Sequence, residues 1–106
     1  MRKDFDNCTI FNVVWQNALP RLQFDVLTED GETYPIAIQN YNTAEQLLEL
    51  LDGKRSRAIL ACGMTDIDIY KMSNGMYVID WSPCEGADIY FKMNQDELQK
   101  LISDGR

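Results

Sequence analysis

The sequence predicts an α+β domain, a twisted antiparallel sheet of five to seven strands with two short helices in the order β-β-β-α-β-β-β-α. Short runs of β-branched and aromatic residues alternate with polar residues, as half-buried strands do. Two stretches carry leucine at helical spacing, and Asn74-Gly75 separates two strand-like runs in the manner of a hairpin turn. At 106 residues, the chain is expected to form a single domain over residues 1–106.

Three strands are expected before the first helix. The charged residues 1–7 read as a loose lead-in, and Asn17 to Pro20 reads as a turn between the first two strands. Pro35 cannot donate a hydrogen bond to a neighbouring strand, so the third strand is expected at a sheet edge. The predicted strands are Cys8 to Gln16, Arg21 to Thr28 and Glu32 to Gln39.

Two helices are expected, each opened by a capping residue. Thr43 and Gln46 fit a capping box before a leucine stripe that runs to Asp52. Asn94 is expected to cap the second helix, with Glu97 at the reciprocal position and an end at Gly105. The segments Arg57 to Cys62 and Ala87 to Met93 are predicted as strands.

The segment from Thr65 to Trp81 is predicted as a hairpin with a type I′ turn at Asn74-Gly75. Counting outward from a two-residue turn places Tyr70 opposite Ile79, and Asp68 opposite Trp81. One face of the hairpin then carries Asp66, Asp68, Tyr70, Met72, Tyr77, Ile79 and Trp81. The other carries Ile67, Ile69, Lys71, Met76, Val78 and Asp80.

We expect the side with Ile67 and Val78 to form the core, together with Ile89 and Phe91 of the following strand. The opposite side then combines tyrosine and tryptophan, which dominate protein interfaces, with acids that select a basic partner. An alternative is that a helix covers this side. The predicted partner-binding residues are Asp66, Asp68, Tyr70, Tyr77, Trp81, Asp88 and Tyr90.

Charge limits the possible partners. Seventeen acids and ten bases give a net charge of −7, and there is no histidine. Such a surface repels nucleic acid and anionic membrane and attracts basic proteins, so no direct contact with nucleic acid or membrane is expected. The three cysteines show no CxxC spacing and fit reduced thiols, and no apolar run is long enough to span a membrane. A cytoplasmic location is therefore expected.

No enzyme motif is present, so we expect no catalytic residue, metal or cofactor. Asp66 and Asp68 could bind a divalent cation together with Asp80, Glu85 or Asp88, or act with Asp80 in catalysis, but the predicted register puts Asp80 on the opposite face.

The function favoured by size and charge is that of a small inhibitor that neutralises a basic, nucleic-acid-handling protein. A toxin immunity protein and a phage-encoded inhibitor of host defence, of the anti-CRISPR kind, both fit. The alternative is a homo-oligomeric domain, such as a homodimer, that associates through the aromatic face and has a small-ligand pocket at its interface.

Overall fold

A computed structural model describes residues 1–16 and 21–104. The described part confirms the α+β class, with strands before and after the first helix and a second helix at the end. Its order is β-β-β-β-α-β-β-β-β-α, with eight strands rather than five to seven. The elements are β1 (Arg2–Phe5), β2 (Thr9–Gln16), β3 (Arg21–Leu27), β4 (Thr33–Gln39), α1 (Thr43–Leu51), β5 (Arg57–Cys62), β6 (Thr65–Lys71), β7 (Tyr77–Trp81), β8 (Asp88–Met93) and α2 (Gln95–Ser103).

The strands form two sheets instead of one. The larger has the order β1-β8-β7-β6-β5 and the smaller the order β2-β3-β4. Among the described strands, only β1 and β8 pair in parallel, and the prediction of a loose lead-in at residues 1–7 was wrong there. Residues 2–5 lack the alternation of a half-buried strand because β1 lies at a sheet edge with most of its side chains exposed. Within β1 only Phe5 is buried, in register with Phe91.

The smaller sheet closes over the inner face of the larger one. β4 lies at its edge, as Pro35 predicted. β2 contains a bulge at Asn12, whose φ is 54°, and this extra residue returns Val13 and Trp15 to the side of Ile10. The inner faces of the two sheets meet through an aromatic cluster of Phe5, Tyr34, Trp81 and Phe91, with neighbouring ring centroids 5.4–6.2 Å apart.

The helices complete the core. α1 contacts β5 and α2, and α2 packs on β2. Their buried leucines are Leu47, Leu50, Leu98 and Leu101. Neither described helix is long and apolar enough to cross a lipid bilayer.

The two helix starts differ from each other. Asn94 caps α2 as predicted, since its side chain accepts a hydrogen bond from the Glu97 amide at 3.0 Å. The capping box predicted at Thr43 was wrong, because Asn42 is the N-cap residue and the Thr43 hydroxyl donates to the Asn40 carbonyl at 2.6 Å. The turn predicted at Asn17 to Pro20 and the end predicted at Gly105 lie outside the described residues.

The hairpin register differs from the prediction by one residue. Tyr70 lies opposite Val78, and Asp68 lies opposite Asp80. The loop has three residues, because the Met72 amide donates to the Met76 carbonyl and the Gly75 amide donates to the Met72 carbonyl. Gly75 has a φ of 86°, whereas Asn74 does not enter the left-handed region. The loop is therefore a type I turn followed by a left-handed glycine, not type I′.

Candidate functional site

The one-residue register change redistributes the predicted site between the two sides of the larger sheet. Tyr77 and Trp81 now lie opposite Met93 and Ile89 on the inner face, so their assignment to the partner-binding face was wrong. Tyr77 is 1% exposed, and Trp81 packs against the core. Val78 and Asp80 take their places on the other side. Asp66, Asp68, Tyr70, Asp88 and Tyr90 do share one face, as predicted.

The signal for the correct register lies in the alternation of both strands. A two-residue turn would put Asp66 and Asp68 on the same side as Ile79 and Trp81, so carboxylates would be buried with apolar groups. A three-residue loop instead gathers the apolar residues of both strands on one side. Those residues are Ile67, Ile69, Tyr77, Ile79 and Trp81.

We call the other side of the five-stranded sheet the outer face. In the described residues, the helices pack with the core: α1 contacts β5 and α2, α2 contacts β2, and their buried leucines belong to the core cluster, which includes no side chain of the outer face of β7. Within the described residues, its acids outnumber its bases by five to three. The side chains of the outer face are Arg2, Asp4, Arg57, Ile59, Ala61, Asp66, Asp68, Tyr70, Val78, Asp80, Asp88, Tyr90 and Lys92.

Two carboxylates lie side by side at the centre of the outer face. Asp68 on β6 and Asp80 on β7 are directly opposite each other, where like charges are unfavourable. Burial raises the pKa of Asp80, and the neighbouring charges of Asp88 and Asp68 raise it further. Burial also raises the pKa of Asp68, against the opposing effect of Arg57. Both acids are therefore more costly to ionise here than in water.

The two carboxylates have different partners. The Arg57 Nε atom lies 3.2 Å from Asp68 Oδ1, yet this buried oxygen accepts no hydrogen bond within the described residues. Within the same part of the chain, no cationic side chain lies within 4 Å of the Asp80 carboxylate. Asp80, which sequence reasoning had placed on the opposite side from Asp68, is therefore, like Asp66 and Asp88, a described acid of this face without an ion-pair partner. The more distant charges of Arg2 and Arg57 partly oppose the rise in its pKa.

Aromatic and apolar side chains surround these acids. Tyr90 is directly opposite Asp80, whose negative charge is the main cause of a raised Tyr90 pKa. Ile59 is directly opposite Asp68 and is 53% exposed. Val78, although it belongs to the outer face, is only 2% exposed because its neighbours cover it. The centre of the face thus combines acids with large partly exposed side chains, which is the composition of an interface anchor.

Two arginines at the borders of the outer face stack on its tyrosines. The Arg2 guanidinium lies 4.2 Å from the centroid of the Tyr90 ring, and its Nε donates to Asp4 at 3.0 Å. That contact lowers the pKa of Asp4. The Arg57 guanidinium lies 5.5 Å from the centroid of the Tyr70 ring. The sequence did not predict that either arginine would stack on a tyrosine of this face.

The described residues also contain clefts away from the outer face. One, of about 410 Å³, lies beside Trp81, Cys62 and Met64. Burial raises the pKa of the Cys62 thiol, which donates to the Ala37 carbonyl. Burial likewise raises the pKa of Cys8 to about 12, so both thiols are in the unreactive protonated form at neutral pH. In residues 1–16 and 21–104, no three acidic or cysteine side chains are grouped so as to hold a metal ion.

Comparisons of the chain with protein-family models, with curated proteins and with solved structures found no match. The outer face is the candidate functional site by its geometry and charge.

Proposed function

We propose that this protein binds a basic protein through the outer face and thereby inhibits it. The observation that supports this most is the pair Asp68 and Asp80, two adjacent carboxylates on an uncovered sheet face, one of which has no cation. A cationic side chain from a partner would relieve their repulsion, so the arrangement costs stability in the free protein and favours binding.

The surrounding side chains support a protein partner over a small ion. Tyr70, Tyr90 and Ile59 offer large contact area next to the acids, and interface hot spots have this composition. The net charge of −7 speeds encounter with a positively charged surface and opposes binding to phosphates. A nucleic-acid-handling enzyme has such a basic surface, and covering that surface would block its substrate.

Two biological settings fit this activity, a toxin immunity protein and a phage-encoded inhibitor of host defence. Both act inside a cell, and the proposal places the protein in the cytoplasm. The free state of Cys8, Cys62 and Cys84 is the state expected in a reducing compartment.

The test compares Asp68→Lys/Asp88→Lys with the wild type in binding and inhibition of a panel of purified basic nucleases. The matched control is Asp52→Lys/Asp104→Lys, which makes the same change in charge at the C-terminal ends of the two helices. We expect the wild type to inhibit at least one nuclease stoichiometrically, and the outer-face variant to bind it about tenfold more weakly or worse. The control should retain binding.

Circular dichroism should show both double variants folded, because partly exposed charges contribute little to stability. Equal loss of binding in the outer-face variant and the control would show that total charge, not this face, is responsible. A self-association role is tested by sedimentation at micromolar concentration. Because two copies of an acid-rich face repel each other, we expect a monomer.

A further inference from the structure

The outer face already shows which kind of cation its tyrosines accept. Arg2 lies over the Tyr90 ring and pairs with Asp4, and Arg57 lies over the Tyr70 ring and pairs with Asp68. Each set consists of a guanidinium, a tyrosine ring and an aspartate. A planar guanidinium can stack on a ring while it donates hydrogen bonds in its own plane to a carboxylate.

The lysine of the same face behaves differently. Lys92 lies opposite Val78, one position along the sheet from Asp80, but its ammonium group pairs with Asp6 at 3.2 Å. Among the described residues, Asp80, flanked by Tyr90 and Asp68, has no cationic side chain within 4 Å. The centre of the face therefore holds two adjacent aspartates, of which only Asp68 forms an ion pair, next to two tyrosine rings that each already carry one arginine.

We propose that the partner supplies the missing cation, an arginine whose guanidinium pairs with Asp80 and also contacts Asp68, next to the Tyr70 and Tyr90 rings. The inference rests on the proposed function and names the group that is recognised. A guanidinium has five donors in a fixed planar arrangement, so it can serve two adjacent carboxylates at once. An ammonium is a compact and strongly hydrated charge that gains less from the rings.

The test uses two synthetic peptides of equal length and charge, one with arginine and one with lysine at the same positions in a glycine-serine background. Their affinities are measured by isothermal titration calorimetry at low ionic strength with the wild type, Asp80→Asn and Asp96→Asn. Asp96 is exposed in the first turn of α2, so Asp96→Asn removes the same charge away from the outer face.

For the wild type we expect the arginine peptide to bind about two- to fivefold more tightly than the lysine peptide, because a guanidinium can donate to both carboxylates at once. Asp80→Asn should remove that preference, and Asp96→Asn should keep it. Equal affinity for the two peptides, lowered in both cases by Asp80→Asn, would overturn the arginine inference but leave the proposed face intact. If Asp80→Asn and Asp96→Asn lowered the affinities equally, or if neither peptide bound, the outer face would not be the binding surface.

Discussion

Asp80 is the residue whose charge is least favourable to the stability of the outer face. Its carboxylate faces Asp68 across the strand pair, and its pKa is raised by burial and by Asp88 and Asp68. A raised pKa means that the folded protein holds the Asp80 proton at a pH where the unfolded chain has released it. The free energy of unfolding therefore falls as the pH rises from the ordinary value of 3.8 through the folded-state pKa.

Asp80→Asn is accordingly expected to stabilise the free protein at neutral pH. Relief of one like-charge cross-strand pair is worth between about 0.2 and 1 kcal/mol. Urea unfolding followed from pH 7 down to pH 3 should show the gain shrink toward zero, because Asp80 becomes neutral in both states at low pH. Asp66→Asn, an exposed position on the same face, is the control and should change stability less. If Asp80→Asn left the free energy of unfolding unchanged or lowered it, repulsion between Asp68 and Asp80 would not be destabilising the free protein.

At the scale of elements, α2 protects an edge of the smaller sheet. The Ile10 amide of β2 donates to Glu97 Oε2 at 2.9 Å, and the Lys100 ammonium donates to the Ile10 carbonyl at 3.3 Å. Glu97 and Lys100 also pair with each other at 2.8 Å. The helix side chains thus take the place of a neighbouring strand, which blocks the pairing of this edge with another chain. Glu97, which was predicted to complete the cap of α2, instead accepts a hydrogen bond from the backbone of β2.

Glu97→Ala is expected to lower the free energy of unfolding by about 1–3 kcal/mol, because the partly buried Ile10 amide loses its acceptor. Asp96→Ala, one residue earlier on the exposed side of the same turn, should cost less, since its benefit comes from the helix dipole alone. Glu97→Gln, which retains an acceptor oxygen, should fall between them in chemical denaturation. Equal effects of the two alanine substitutions would show that the contact with β2 contributes nothing.

At the scale of the whole molecule, the register of one hairpin decides which side of the larger sheet meets the second sheet. The inner side joins the aromatic cluster, and the outer side, with its tyrosines and acids, stays uncovered by the two helices. The predicted strands and their residues were mostly correct, whereas each side chain of β7 lies on the side of the sheet opposite to the predicted one. Tyr70 and Tyr77, which were predicted to share one face, therefore lie on opposite sides of the sheet, Tyr70 on the outer face and Tyr77 in the core.

Tyr77→Ala and Tyr70→Ala separate these roles. Tyr77 is almost fully buried, so its truncation is expected to cost about 3–5 kcal/mol, as for other large aromatic core residues. Tyr70→Ala should cost clearly less and should instead weaken binding through the outer face. Thermal unfolding and binding measured on both variants, with Tyr77→Phe as the conservative control, test this. Similar losses of stability for the two alanine variants would contradict the observed register.

The sequence by itself determined the α+β class, the positions of seven strands and two helices, the edge position of Pro35 and the acidic charge. These follow from local alternation, capping residues and composition. Tertiary structure decided the strand status of residues 2–5, the division into two sheets and the hairpin register. Asn74-Gly75 suits both two-residue and three-residue loops, and the choice between them depends on burial of apolar side chains from both strands against the smaller sheet. That same choice brought Asp80 beside Asp68 and made the outer face a candidate site.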